Sequence, residues 1–185
     1  MQPQPNKQQG LKKLTAAGRT EMRFIIRFIL FFALCQGICL GMNRLAPLAA
    51  NRLQARAGVL LVNTITPGEQ AWVREQVIHS AGHAMAVNLG CDGMGPLMLV
   101  IAALLAFPLG RYERAFGILL SLPVVLGANL GRIVSLYYIL KYRPQLFDTA
   151  HIFVGQTAII LIGLLYFLAW TRIAERLPWH RCPPG

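Results

Sequence analysis

Cys91, Arg132 and His151 place three chemically useful side chains within or beside apolar runs. A thiolate is a nucleophile, and a neutral imidazole can take the thiol proton. A fixed guanidinium stabilises the negative charge that grows on an attacked carbonyl oxygen. Together they can break and remake a peptide bond through a thioester. Cys91 stands in Gly90-Cys91-Asp92-Gly93, just ahead of an apolar run opened by Met94-Gly95-Pro96. Backbone amides and the positive end of a helix at such a place lower a thiol's pKa. Asp92 and Gly93 are supporting residues there. Asn129, three positions before Arg132, lies on the same helical face and supports it.

Each residue also has a plainer explanation. A cysteine is often a small apolar filler. An intramembrane arginine can be a structural ion pair or can snorkel to the headgroups. Yet a central arginine costs ~2.5–3.5 kcal/mol on insertion and usually faces protein or water. His151 alone reads as an amphipathic tip; its interest lies in matching the depth of Cys91. Asp148 and Thr149 are near enough in sequence to bond its ring.

The other candidates are weaker. His79 and His83 stand four apart, but no fourth ligand completes a zinc site. No metal and no other cofactor is expected. Cys35 and Cys39 fall in the first apolar run and Cys182 in the tail, beside His180. Cys91 is thus the one cysteine assigned to the outer face. Cys39 alone lies near enough that end to be a disulfide partner.

The elements that must position these residues are membrane helices. The 185 residues are 55% hydrophobic and 14% charged, with a net charge of +11. Soluble domains carry nearer ~25% charged residues. Many basic residues flank apolar runs, as topology determinants and headgroup contacts do, which argues against nucleic acid as a partner and for the lipid bilayer. No secretory signal peptide is evident, since the first run is too long for a signal core.

The expected architecture is an all-α membrane protein, a multipass bundle of about four transmembrane helices plus an interfacial helix in the first outer loop. Residues 1–23 are expected to be a disordered cytoplasmic N-terminus, 24–170 the membrane domain and 171–185 a basic cytoplasmic tail. The spans are Phe24–Gly41, Met94–Gly110, Gly117–Leu140 (interrupted by Pro123, Gly127 and Gly131) and Ile152–Trp170. The interfacial helix falls within Leu45–Ile65, with Arg52 and Arg56 on one face. Thr66 to Glu69 reads as a break with Thr66 as a cap. A short helix is expected over Glu69–Ser80, and a short strand over Ala84–Leu89.

The positive-inside rule puts both termini in the cytoplasm. Cys91 and His151 then lie at the outer face. Arg132 sits eight residues from the outer end of its span, ~12 Å deep at 1.5 Å per residue. The depths agree; lateral contact does not follow from them.

Cys91-Asp92-Gly93 before one span, Asn129-Leu130-Gly131-Arg132-Ile133 in the next and His151 opening the last resemble the exosortase/archaeosortase family. The resemblance covers roughly residues 77–170. Many members have Ala-Cys-Ser-Gly where this chain has Gly90-Cys91-Asp92-Gly93. The short chain looks most like the compact bacterial exosortases, such as the exosortase H kind.

The resemblance implies a membrane-embedded cysteine transpeptidase in the bacterial inner membrane, its active site facing the periplasm. Its partners would be membrane-anchored proteins with a C-terminal sorting signal of the PEP-CTERM type, a class linked to exopolysaccharide. Cys91 would be the nucleophile, Arg132 the oxyanion or thiolate stabiliser and His151 the general base and acid. The competing reading is a non-enzymatic assembly protein of an exopolysaccharide or export system, with Arg132 structural. Oligomeric state is not legible.

Overall fold

The computed structural model describes residues 7–45, 48–88 and 90–176, with only the backbone described for residues 7–20. Six α-helices and three strands follow one another: α1 (Lys7–Leu45), α2 (Ala49–Ile65), β1 (Trp72–Arg74), β2 (Val77–Ser80), β3 (His83–Ala86), α3 (Met94–Ala106), α4 (Arg111–Tyr142), the single turn α5 (Phe147–Thr149), a π-helical turn (Ala150–Gly155) and α6 (Gln156–Ala174). Among the described residues, three segments are long and apolar enough to cross a membrane: Glu21–Leu45, Arg111–Tyr142 and Pro144–Ala174. The chain is a multi-pass, mainly helical membrane protein.

Several boundaries differ from expectation. α1 begins at Lys7, inside the stretch expected to be disordered; its lysines, glutamines, leucines and alanines are good helix formers. Residues 177–185, with His180 and Cys182, lie outside the described residues. The second apolar run is helical only over Met94–Ala106, 13 residues, rather than to Gly110. Pro108 explains this, because the residue before a proline is driven out of the α region, and Phe107 is extended at φ −73°, ψ 144°. At ~1.5 Å per residue α3 is ~20 Å long, too short for a ~30 Å hydrocarbon layer. α4, by contrast, runs unbroken through Pro123, Gly127 and Gly131.

The largest correction is in the loop between α2 and α3. The helix expected over Glu69–Ser80 is replaced by β1 and β2, and β3 (His83–Ala86) completes an antiparallel sheet in the order β1-β2-β3. The expected strand is thus present at His83–Ala86, two residues shorter at its end than Val87 and Asn88 and with Leu89 outside the described residues. Trp72, Val73, Val77 and Ile78 favour a pleated surface, and Glu75 at φ 56° makes the turn between β1 and β2. Buried Ile78, Met85 and Val87 pack on Ala55 and Val62 of α2 and on Ile133 and Tyr137 of α4. Asparagines of α2 pin the sheet at two corners. Asn51 Nδ2 donates to the Val87 carbonyl at 2.9 Å. Asn63 donates to the carbonyl and accepts from the amide of Ala71, both at 2.8 Å. Thr66 makes no side-chain cap; its hydroxyl pairs with Tyr138 at 2.7 Å. Glu69 meets Tyr137 and Lys141 near the C-terminal end of α4.

At the other end the bundle is tightly closed. α3 packs on α1, α4 and α6, with Leu97, Val100 and Leu104 against Val125 and Trp170. Trp170 Nε1 donates to the Glu113 carbonyl at 3.0 Å. A Cβ at Gly117 would lie 2.3 Å from that ring nitrogen, and one at Gly163 would lie 2.9 Å from Val100 Cγ2. Glycine at both positions lets α6 lie close against its neighbours.

Candidate active site

Cys91, Arg132 and His151 meet at the sheet-bearing end of the bundle. Between β3 and α3 the chain turns sharply. The amide of Cys91 donates to the Asn88 carbonyl at 2.9 Å, and Gly90 and Gly93 adopt φ +88° and +76°. Asp92, almost wholly buried, accepts from the Met94 amide through Oδ1 at 3.2 Å. It thereby serves one of the free donors that open every helix.

Asn129 sits on α4 directly beneath this turn, fully buried. Its Nδ2 donates to the Cys91 carbonyl at 2.8 Å. A Cβ at Gly93 would lie 2.9 Å from Asn129 Cβ and Cγ. The spacing Cys-x-Gly therefore has two physical reasons: a left-handed backbone at Gly93, and room for the asparagine that holds the cysteine's carbonyl. Asn129 and Gly93 act on the backbone around the thiol; Asp92 does so too, and its charge also bears on the thiol itself.

His151 comes from the widened π turn ahead of α6. Its Nε2 lies 3.4 Å from Cys91 Sγ, and its Nδ1 3.9 Å away. With the proton on Nδ1, Nε2 is free to accept from the thiol. The ring stacks near-parallel on Phe147, 5.6 Å between centroids at 10°. Neither Asp148 nor Thr149 holds it, since no hydrogen bond joins either to the ring among the described residues.

Arg132 reaches across from α4 and donates from Nη2 to the His151 carbonyl at 3.1 Å. Its Nε is buried without a hydrogen-bond partner among the described residues, as is Asn129 Oδ1. A Cβ at Gly155 would meet Arg132 Nε at 2.6 Å. Gly155 thus gives the guanidinium its path, and sequence reading passed over it. The available signal was its place four residues after His151, on the same side of the helix. Phe147 was missed for want of any signal.

The electrostatics of the thiol are mixed. Burial pushes the Cys91 thiol above its ordinary value, the Arg132 charge pulls it down and Asp92 pushes it up again. The net direction is up, so the resting group is a thiol. A reaction there begins with proton transfer to the neighbouring imidazole rather than from a standing thiolate.

The remaining candidates lie elsewhere. His79 stacks on Trp72, 4.2 Å between centroids, on the sheet. His83 ends the β2–β3 hairpin opposite Ser80. Among the described residues no three His, Cys, Asp or Glu side chains converge as a metal site. Cys35 and Cys39 on α1 are free thiols, as Cys91 is.

Comparison with curated proteins and with solved structures gives no match. A sequence model of the transmembrane exosortases matches residues 13–169, which takes in the sheet, all three converging residues and all of the helices but the first turns of α1 and the last residues of α6. The chain belongs to the transmembrane exosortase family.

Proposed function

We propose that this protein is a cysteine transpeptidase or protease that cuts a C-terminal sorting signal of membrane-anchored substrates at the outer face of a bacterial inner membrane. The observation that carries this reading is the 3.4 Å approach of His151 Nε2 to Cys91 Sγ beside the Arg132 guanidinium. His151 Nε2 takes the thiol proton, and the thiolate forms a bond to a substrate carbonyl carbon. The carbonyl π pair moves to oxygen, where Arg132 stabilises it. Collapse breaks the C–N bond, and the imidazolium gives its proton to the leaving amine. The thioester is then opened by an amine, which is transfer, or by water, which is hydrolysis; either regenerates the thiol.

The substrate's membrane helix would dock laterally. Gly127 and Gly131 face outward from α4 with open space around them, so another helix can come close there. PEP-CTERM-type signals linked to exopolysaccharide are the candidate substrate class.

The test is a co-expressed single-span protein carrying such a signal, followed by gel mobility and mass spectrometry. Wild-type protein is expected to release the cut product and to yield a thioester at Cys91. Cys91→Ala is expected to abolish both. Full processing by Cys91→Ala would sink the enzyme reading and return the protein to a non-enzymatic assembly role.

A further inference from the structure

The two edges of the sheet are unequal. In the β2–β3 pair the amide of Val87 donates to the Gln76 carbonyl at 2.9 Å, which sets the phase of the ladder. Hydrogen-bonded pairs alternate with non-bonded ones along an antiparallel ladder. Ile78–Met85 and Ser80–His83 are therefore the bonded pairs, while Ala84 and Ala86 turn their amide and carbonyl groups away from β2, toward the free side of the sheet. Both alanines are exposed, alternating with buried Met85 and Val87.

Proteins usually blunt a bare edge with charge, proline, a bulge or a cover. The β1 edge follows that rule. Asn63 occupies both backbone groups of Ala71, and exposed Arg74 and left-handed Glu75 close its other end. Among the described residues the β3 edge has none of these: His83-Ala84-Met85-Ala86-Val87-Asn88 carries no lysine, arginine, acid or proline, and Ala84 and Ala86 are exposed. This unguarded edge runs straight into the Asn88–Cys91 turn, which folds the thiol-bearing residue back beside the end of the strand.

We propose that β3 takes the extended segment ahead of a substrate's membrane helix as a fourth, parallel strand, bonded to the outward groups of Ala84 and Ala86. This inference rests on the reading of Cys91 as a nucleophile. Direction follows from the path of the enzyme's own chain. β3 leads through Cys91 into the apolar helix α3, and a substrate passing from an extended segment into its own membrane helix travels the same way. Main-chain hydrogen bonds supply binding that is indifferent to most side chains, and short alanines leave space above the added strand. Two residues past Ala86 the substrate reaches the turn, where its next carbonyls come beside the thiol.

The probe is a co-expressed single-span protein with an extended segment, an apolar helix of ~20 residues and a basic tail. Single cysteines are scanned through its extended segment against full-length enzyme in which Cys35, Cys39, Cys91 and Cys182 are replaced by serine. The enzyme carries either Ala84→Cys or Ala86→Cys, and disulfide cross-links are mapped. Cross-linking is expected at alternate substrate positions. The preferred position is expected to move two residues toward the substrate's C-terminus on going from Ala84→Cys to Ala86→Cys. No cross-link, no alternation, or a shift toward the N-terminus overturns the proposal.

A second arm uses Ala86→Pro in the otherwise native chain, which deletes one outward donor and leaves the β2 ladder intact. Probe cleavage is expected to fall about fivefold, the worth of one hydrogen bond, with the alkylation rate of Cys91 unchanged. Full-rate cleavage by Ala86→Pro while Cys91→Ala is dead sinks the edge and leaves the thiol reading standing. Cleavage that survives Cys91→Ala sinks the thiol reading itself.

Discussion

The two ends of α4 are built on opposite plans. Near its N-terminus the helix is welded to α6: the Trp170 indole fills the space a Gly117 side chain would take and bonds the Glu113 carbonyl, and the Tyr166 hydroxyl donates to the Gly117 carbonyl. Toward its C-terminus the same helix carries Asn129 and Arg132, and the segment leading into α6 widens into a π turn that brings His151 to Cys91. There Arg132 Nε and Asn129 Oδ1 keep hydrogen-bonding capacity that the described residues do not use. Buried polar groups are nearly always paired, so the unused Arg132 N–H donor beside a thiol suits a transient negative oxygen better than it suits stability, whereas Asn129 Oδ1 can only accept. One end fixes the relative placement of the helices so that the other end can hold reacting groups in register.

The difference can be broken most strongly at His151. With the thiol pushed up by burial, loss of the imidazole is expected to reduce substrate cleavage by His151→Ala about 10²–10⁴-fold. Alkylation of Cys91 is expected to need higher pH in this variant than in the native chain. A cleavage rate within a few fold of native, read by product formation, would remove His151 from the chemistry.

The next test compares glycines at the two ends. Gly117→Ala forces a methyl into Trp170 and is expected to lower the thermal midpoint, at a cost of about 1–3 kcal/mol, with cleavage below that midpoint preserved. Gly93→Ala meets a left-handed backbone and Asn129 together, and is expected to cut cleavage sharply by moving the Cys91 turn. Thermal scans and cleavage assays on both variants should give opposite patterns. The same pattern at both ends would erase the distinction.

The smallest expected effect concerns Glu69. The hydrogen bond from Lys141, then that from Tyr137, holds its carboxyl below the ordinary value. A depressed carboxylate contributes stability above its unfolded pKa and loses it as pH falls through the folded one. Glu69→Gln is therefore expected to lower the thermal midpoint by a few degrees at pH 7, and the gap should close in strongly acid solution. A gap that persists unchanged at low pH would mean that packing, not charge, is the contribution.

The membrane spans were legible because long apolar runs have few other destinations, and Arg132 because a cation in such a run is costly. Counting residues gave a shared depth for Cys91, Arg132 and His151, and depth is what 1.5 Å per residue measures. Lateral contact depends on helix rotation, which Gly155 and the π turn decide and no periodicity reveals. The sheet was misread because its strands are three and four residues long, and windows that short do not separate a strand from a helical turn. The roles of Asn51 and Asn63 were hidden for a related reason: each bonds a backbone group brought near by the sheet.

The π turn over Ala150–Gly155 also works as an indexing device. Such a turn accommodates one residue more than an α-helical turn does, and each residue of an α-helix is worth about 100° of rotation. Length and azimuth are therefore interchangeable at this point in the chain. Dropping a single residue between His151 and Gln156 would leave the apolar span intact and still long enough, yet would rotate the imidazole by about a quarter of a circle relative to α6. The facing of His151 is thus written in a residue count as much as in a residue type.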